Sequence, residues 1–219
     1  MLLPTEAESY QRDGYVIPSK FRLADSDLME LREAVNAILV GNPDVILWLT
    51  HLFCKLPRTA REVPWHQDGQ YWLIWSWATC TVWIEIDKVD RNNGAMRVIP
   101  GSQSSREWRH HEEAGGHLTL NQAISNDQLS GKNVRYIELE PGQCSLHDVG
   151  IVHGSAANIS GRRRAGLAIR YMPATSGLHR DCDLPVAKFD WSTLPIDLVR
   201  GENRNPVNDL GIGHDCLDW

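Results

Sequence analysis

The sequence predicts a mainly β domain with helical support, built as a β-sandwich or jelly roll. Three observations carry this. Short segments rich in Val, Ile, Trp and Thr recur through the middle of the chain, Gly and Pro punctuate them, and a single amphipathic helical stretch precedes them.

The elements follow in order. Tyr10 to Pro18 reads as a short strand, with Asp13-Gly14 as a turn. Asp25 or Ser26 caps a helix to about Leu39, because Leu28, Leu31, Val35, Ile38 and Leu39 recur at helical spacing. Gly41-Asn42-Pro43 ends it. Asp44 to Cys54 reads as a buried strand, and Arg58 to Glu62 as a charged loop. Thr79 to Asp87 alternates as a strand with Val82, Ile84 and Ile86 on one face. Asn92-Asn93-Gly94 is a turn, Ala95 to Ile99 a strand, and Pro100-Gly101-Ser102 breaks it. Ser104 to Lys132 is polar and irregular, with short helical pieces. Val134 to Leu139, Cys144 to Val152 and Arg164 to Tyr171 are further strands, and the tail from Ala174 is mostly coil. The expected organisation is a single domain: helical support over 1–43, a β core over 44–172 and a C-terminal coil over 173–219.

Composition narrows the function. The chain has 219 residues, a formal charge of −6 and 23% charged residues, so it is neither disordered nor a general nucleic-acid binder. No apolar run is long enough to span a bilayer and no secretory signal is visible. The five cysteines are odd in number and form no C-x-x-C pair, which fits reduced thiols in a cytoplasmic protein. Nine Trp stand against three Phe, and Trp65, Trp72, Trp75, Trp77 and Trp83 cluster in one short stretch.

That stretch contains Trp65-His66-Gln67-Asp68-Gly69. A His and an Asp two apart on an extended segment point to the same side, where imidazole nitrogen and carboxylate oxygen can meet one metal ion. The bland reading is a His hydrogen-bonded to a turn Asp. His153, in Ile151-Val152-His153-Gly154-Ser155, is the best candidate for a second His. Two His and one carboxylate with open positions opposite is the ligand set of non-heme Fe(II) oxygenases. Arg162, Arg163 and Arg164 begin the next strand. Arg164 shares strand parity with Gly166, Ala168 and Arg170 and is suited to grip a carboxylate in two-point fashion, whereas Arg162 and Arg163 read as a solvated turn.

Together these motifs resemble the phytanoyl-CoA dioxygenase family of Fe(II)/2-oxoglutarate oxygenases: W-H-Q-D-G-x-Y-W, then N-N-G-x-x-R-V-I-P-G-S, then L-H-D-x-x-x-x-H-G-S-x-x-N-x-S-x-x-R-R. The resemblance covers about Tyr10 to Arg180. It implies a double-stranded β-helix (a cupin-like jelly roll), iron held by His66, Asp68 and His153, and 2-oxoglutarate held by Arg164, eleven residues after the distal His. It also places Ser155, Trp83 and His51 beside the cosubstrate. The implied reaction consumes O2 and 2-oxoglutarate, releases succinate and CO2, and hydroxylates a small molecule. Halogenating relatives replace the carboxylate by Ala or Gly, so Asp68 favours hydroxylation. Relatives also carry several dozen more residues where this chain has only Gly41-Asn42-Pro43.

Other residues have plainer readings. His147 is expected to be structural or to stand just behind the metal ligands, and His110, His111 and His117 to lie on a solvated surface with Glu112 and Glu113, or in a lid over the site. Tyr71, Trp72, Trp75 and Trp77 are either core or a substrate wall suited to a cationic or zwitterionic molecule. Lys55 and Arg97 contact an anionic substrate or form exposed ion pairs. Two rival functions stand beside the oxygenase: a cupin-like metal protein without 2-oxoglutarate chemistry, and a non-catalytic binding protein.

Overall fold

The computed structural model describes residues 5, 26, 44–58, 61–105, 108–112, 120, 122–182 and 190–214. The chain divides into two compact units, Met1–Val40 and Gly41–Trp219. In the first, only Thr5 and Ser26 are described, both helical. The expected strand over Tyr10 to Pro18, the helix to Leu39 and the Gly41-Asn42-Pro43 link lie outside the described residues.

The second unit is built from strands: β1 (Val45–Lys55), β2 (Val63–His66), β3 (Ile74–Trp75), β4 (Cys80–Glu85), β5 (Met96–Val98), β6 (His110–Glu112), β7 (Gln122–Ile124), β8 (Arg135–Ile137), β9 (Cys144–Asp148), β10 (His153–Ser155), β11 (Arg164–Pro173), β12 (Gly177–Leu178) and β13 (Asp197–Arg200). They form a five-stranded sheet in the order β13-β1-β11-β4-β9 and a four-stranded sheet in the order β2-β10-β5-β8, with two small ribbons, β12-β3 and β6-β7. Residues of both larger sheets line one cavity of about 670 Å³, so the architecture is a jelly roll with its site between the sheets.

Three details set what faces that cavity. First, β1 pairs with β11 from end to end, but the register slips at Trp48. The extra residue reverses the alternation, so Leu49, His51, Phe53 and Lys55 point to the cavity on the same side as Arg164 and Arg170. Trp48 itself is buried in a cluster with Ile46, Leu73, Met172, Trp191 and Ile196. The strand expected to be buried throughout is therefore buried at Val45, Ile46, Trp48 and Lys55, while Leu52 is 60% exposed.

Second, the apolar face read along β4 is the outer one. Val82 is buried, but Ile86 beyond it is 47% exposed; Thr81, Trp83 and Glu85 form the buried inner row. Third, the strand expected over Cys144 to Val152 ends at Asp148, and β10 begins only at His153. Asp148 accepts from the Gly150 N–H through its side chain (2.7 Å) and from the Ile151 N–H through its carbonyl (3.1 Å), which turns the chain from β9 in one sheet to β10 in the other.

The tail is mostly coil among the described residues, but it is packed against the sheet and core. Trp191, Leu194 and Ile196 fill the core cluster, and β13 forms the sheet edge beside β1. Asp44, just before β1, accepts from Arg204 Nε (2.7 Å) and the Glu202 N–H (2.8 Å), fastening the tail to that strand. Within the irregular stretch from Ser104, β6, β7 and a short helix over Asn126–Leu129 give the local order.

Candidate functional site

His66 ends β2, and Asp68 opens the turn that follows, with Gln67 between them extended. His153 opens β10 and is the cross-strand partner of His66. Backbone pairing thus sets the two rings 4.2 Å apart between centroids. His66 Nε2 lies 3.2 Å and His153 Nε2 3.7 Å from Asp68 Oδ1, and all three residues are buried.

Each imidazole is oriented by the same contact. Nδ1 of His66 lies 2.8 Å from the Pro64 carbonyl, and Nδ1 of His153 lies 3.0 Å from that of Ile151. A carbonyl only accepts, so both Nδ1 atoms carry the proton and both Nε2 atoms present lone pairs. Burial, followed by the neighbouring His66, pushes His153 down to about 3, so it is neutral at ordinary pH. Burial disfavours charge on Asp68, but the His153 and His66 rings beside it outweigh burial and hold the carboxyl below the usual carboxylate range. Two lone pairs and a carboxylate therefore converge with no proton to share. This donor set fits a divalent metal ion, and its three donor atoms lie within 4.8 Å of one another.

The loop carrying the triad is fixed from behind. Gln67 donates through Nε2 to the Gly150 carbonyl, and the Gly69 N–H donates to that of Val149 (3.2 Å). Gly69 has no room for a side chain, since a Cβ would meet the Trp77 indole at 2.6 Å. His110 joins here as an acceptor: its Nε2 takes the Gln67 N–H at 3.1 Å. The sequence reading of His110 as a solvated surface residue is thus corrected, because folding β6 onto β7 brings it against the metal loop. His111 and Glu112 are on the same ribbon, whereas Glu113 and His117 lie outside the described residues.

Arg164 lies at one end of the cavity, buried, with its guanidinium 4.5 Å over the Trp83 ring. Its Nη2 is 3.5 Å from Glu85 Oε1, and Trp83 Nε1 donates to the same oxygen at 2.8 Å. Arg164 Nε and Glu85 Oε2 have no hydrogen-bond partner among the described residues. Burial raises the Glu85 carboxyl above its ordinary value despite Arg164 beside it. Glu85 was not singled out from sequence; its parity with Trp83 on the strand was the only signal. Ser155 is buried on the cavity wall and His51 stands at a more open part of it, stacked 4.1 Å from Phe53.

Other expectations divide. Arg162 and Arg163 pair with Asp90 and Asp87 at the surface, as a solvated turn should. Lys55 and Arg97 are not free for a substrate. Lys55 Nζ donates to the carbonyls of Arg61, Ser155 and Ala156, and Arg97 pairs with Glu62 while lying over Trp65. Tyr71 and Trp72 line the cavity. Trp75 and Trp77 do not: Trp75 is 56% exposed and stacked on His179, and Trp77 lies against Gly69. Positive φ at Ser76 and Trp77 breaks the alternation that would have aimed these rings inward. Arg170 and Thr81, also on the cavity wall, were not assigned to the site from sequence, and His147 stands there beside the metal ligands.

Comparison with known proteins identifies the family. The family described as phytanoyl-CoA dioxygenase (PhyH) matches residues 18–166. L-proline trans-4-hydroxylase of Streptomyces griseoviridis is 29% identical over 74% of this chain and 68% of its own. A probable alpha-ketoglutarate-dependent hypophosphite dioxygenase of Stutzerimonas stutzeri is 28% identical over 54% of this chain, which spans only 42% of that relative. Among solved structures, the non-heme monooxygenase ThoJ shares the fold with a TM-score of 0.56 at 24% identity, covering 82% of this chain and 60% of its own. The family match spans more than half of the residues, and this chain belongs to the phytanoyl-CoA dioxygenase family.

Proposed function

We propose that this chain is an Fe(II)- and 2-oxoglutarate-dependent dioxygenase that hydroxylates a C–H bond of a small-molecule metabolite. One observation carries the proposal: the converging donor atoms of His66, Asp68 and His153 share a cavity with the buried fork of Arg164. Iron with 2-oxoglutarate and O2 supplies the oxidising power, and the cosubstrate leaves as succinate and CO2.

The chain's own residues do the rest. His66 and His153 offer Nε2, and Asp68 brings the negative charge. Its presence supports hydroxylation rather than halogenation. Arg164 takes the far carboxylate of 2-oxoglutarate, with His51 on the same sheet, Ser155 on the facing one and Trp83 as the flat surface beneath the guanidinium. Glu85 holds Arg164 in place until that carboxylate arrives. A cavity of about 670 Å³ has room for both the cosubstrate and a small metabolite. Two relatives carry names that fit: an L-proline hydroxylase, and a dioxygenase dependent on alpha-ketoglutarate.

The reading extends to setting. The β core and the tail, within Gly41–Trp219, form one oxygenase domain. Reduced thiols at Cys54, Cys80 and Cys182 support a cytoplasmic location, and the net charge of −6 argues against a nucleic-acid partner. Among the described residues no helix is long and apolar enough to cross a membrane. Anaerobic titration with Fe(II) and then 2-oxoglutarate tests the function. A visible charge-transfer band that needs both is expected. Metal binding without it leaves a cupin-like protein, and no metal binding leaves a non-catalytic one.

A further inference from the structure

The cavity has a second polar end. Arg170 lies on the same face of β11 as Arg164, six residues on, roughly 20 Å along an extended strand. It is 7% exposed and lines the cavity, yet its Nε and Nη1 have no hydrogen-bond partner among the described residues. Arg164 has Glu85 beside it and Lys55 has three carbonyls; the Asp68 carboxylate attracts Arg170 through space, but it is not a hydrogen-bond partner of Nε or Nη1.

Its surroundings are aromatic. The guanidinium carbon is 5.1 Å from the centre of the Trp72 ring, 5.7 Å from Phe53 and 6.0 Å from Trp48. Rings attract the face of a guanidinium, but they do not accept its in-plane N–H groups. Leaving such donors buried and unpaired is costly, so their partner is a group that enters the cavity.

The neighbours in register are of the same kind. Arg170 pairs with Thr81 on β4, and Thr81 pairs with His147 on β9. All three line the cavity, and Thr81 Oγ1 and His147 Nδ1 are likewise buried and without hydrogen-bond partners among the described residues. Three adjacent strands thus present an unbroken row of unsatisfied polar atoms on one face. The row abuts the triad, since the His147 and His153 rings are 5.3 Å apart. His147 is not part of the three-residue metal set.

We infer that the row Arg170–Thr81–His147 is an anion site that holds a carboxylate or similar oxyanion of the substrate. Arg170 supplies the two-point fork, Thr81 and His147 take the remaining oxygen contacts, and Trp72 and Phe53 flank the group. The substrate class is a small molecule with one anionic group, held beside the metal while 2-oxoglutarate occupies the Arg164 end. This rests on the oxygenase reading above and adds the substrate class to it. A purely cationic substrate, which the tryptophan cluster alone would favour, is replaced by an anionic or zwitterionic one.

The test uses the full chain loaded anaerobically with Fe(II) and 2-oxoglutarate, titrated with acetate and with neutral acetamide and followed by calorimetry and the charge-transfer band. Acetate should bind at least tenfold more tightly than acetamide. Arg170→Gln should weaken acetate roughly ten- to hundredfold, the loss expected for a charge-assisted contact, and leave the 2-oxoglutarate constant within about twofold. Thr81→Val, nearly the same shape, should weaken acetate severalfold without the folding risk of the Arg170 change. Equal binding of acetate and acetamide, or acetate binding unchanged in both variants, overturns the site. So does loss of 2-oxoglutarate binding in Arg170→Gln, which would make Arg170 the cosubstrate grip. If the chain binds neither iron nor 2-oxoglutarate, the oxygenase reading fails, while acetate binding to the metal-free chain that Arg170→Gln abolishes still upholds the anion site.

Discussion

His66 and His153 face each other across the β2–β10 pair, although most of the β core separates them in sequence. Their rings are turned alike, each Nδ1–H donating to the carbonyl two residues before it. A three-donor site has no spare ligand, so His66→Ala, Asp68→Ala and His153→Ala should each abolish Fe(II) binding and turnover, read by anaerobic titration and succinate release. His147→Ala should retain iron. If it loses iron as completely as His153→Ala, the distal ligand is misassigned.

Arg164→Lys keeps the charge but loses the fork. The apparent constant for 2-oxoglutarate should rise about ten- to 150-fold, the range for losing a charge-assisted hydrogen bond. Arg162→Lys and Arg163→Lys, whose partners are the exposed Asp90 and Asp87, should change it little. An unchanged constant in Arg164→Lys would mean that the carboxylate is held elsewhere.

Gly166 lies under the Trp83 indole, where a Cβ would come within 2.5 Å of the ring. Gly166→Ala must therefore displace Trp83, and with it the surface beneath Arg164. Overpacking of this kind costs roughly 1–3 kcal/mol. A fall of several degrees in Tm with a weaker 2-oxoglutarate constant is expected by differential scanning and titration. Unchanged values in both would show that Trp83 has slack.

Burial holds His110 at about 4 rather than the ordinary 6.5. Between those values the unfolded chain binds a proton that the folded chain does not, so acid favours unfolding. The stability from neutral His110 is fully present above about pH 6.5 and is lost as the pH falls through 4. The bond it accepts from Gln67 is the contact at stake. His110→Gln keeps an acceptor that does not titrate, so the metal-free variant should lose less Tm between pH 7 and 4 than the wild type. Parallel Tm curves would mean that His110 does not contribute.

Much of this site was legible in the sequence because its residues announce themselves by spacing. An H-x-D pair, a distal His followed by Gly-Ser, and an Arg eleven residues on are local patterns, and the family resemblance orders them. What was not legible depends on which strands become neighbours. Glu85, Thr81 and Arg170 are polar residues in otherwise apolar strands, and only the β11–β4–β9 register makes a row of them. Likewise, Trp75 and Trp77 look like continuations of the Tyr71-Trp72 wall until the positive φ at Ser76 and Trp77 turns them away. The tail carries no periodic signal, yet Trp191 and Ile196 find the core through tertiary contact alone.

The slip at Trp48 makes β1 a strand with two independently tunable sides. Beyond it, Leu49, His51 and Phe53 border the cavity while Thr50 and Leu52 look outward. A mutational library restricted to the first three would explore which molecules the chamber admits; one restricted to Thr50 and Leu52 would alter solubility and little else. Selection can therefore reshape ligand preference on this strand one residue at a time, without disturbing the hydrogen-bonded ladder that holds Arg164 and Arg170 in place.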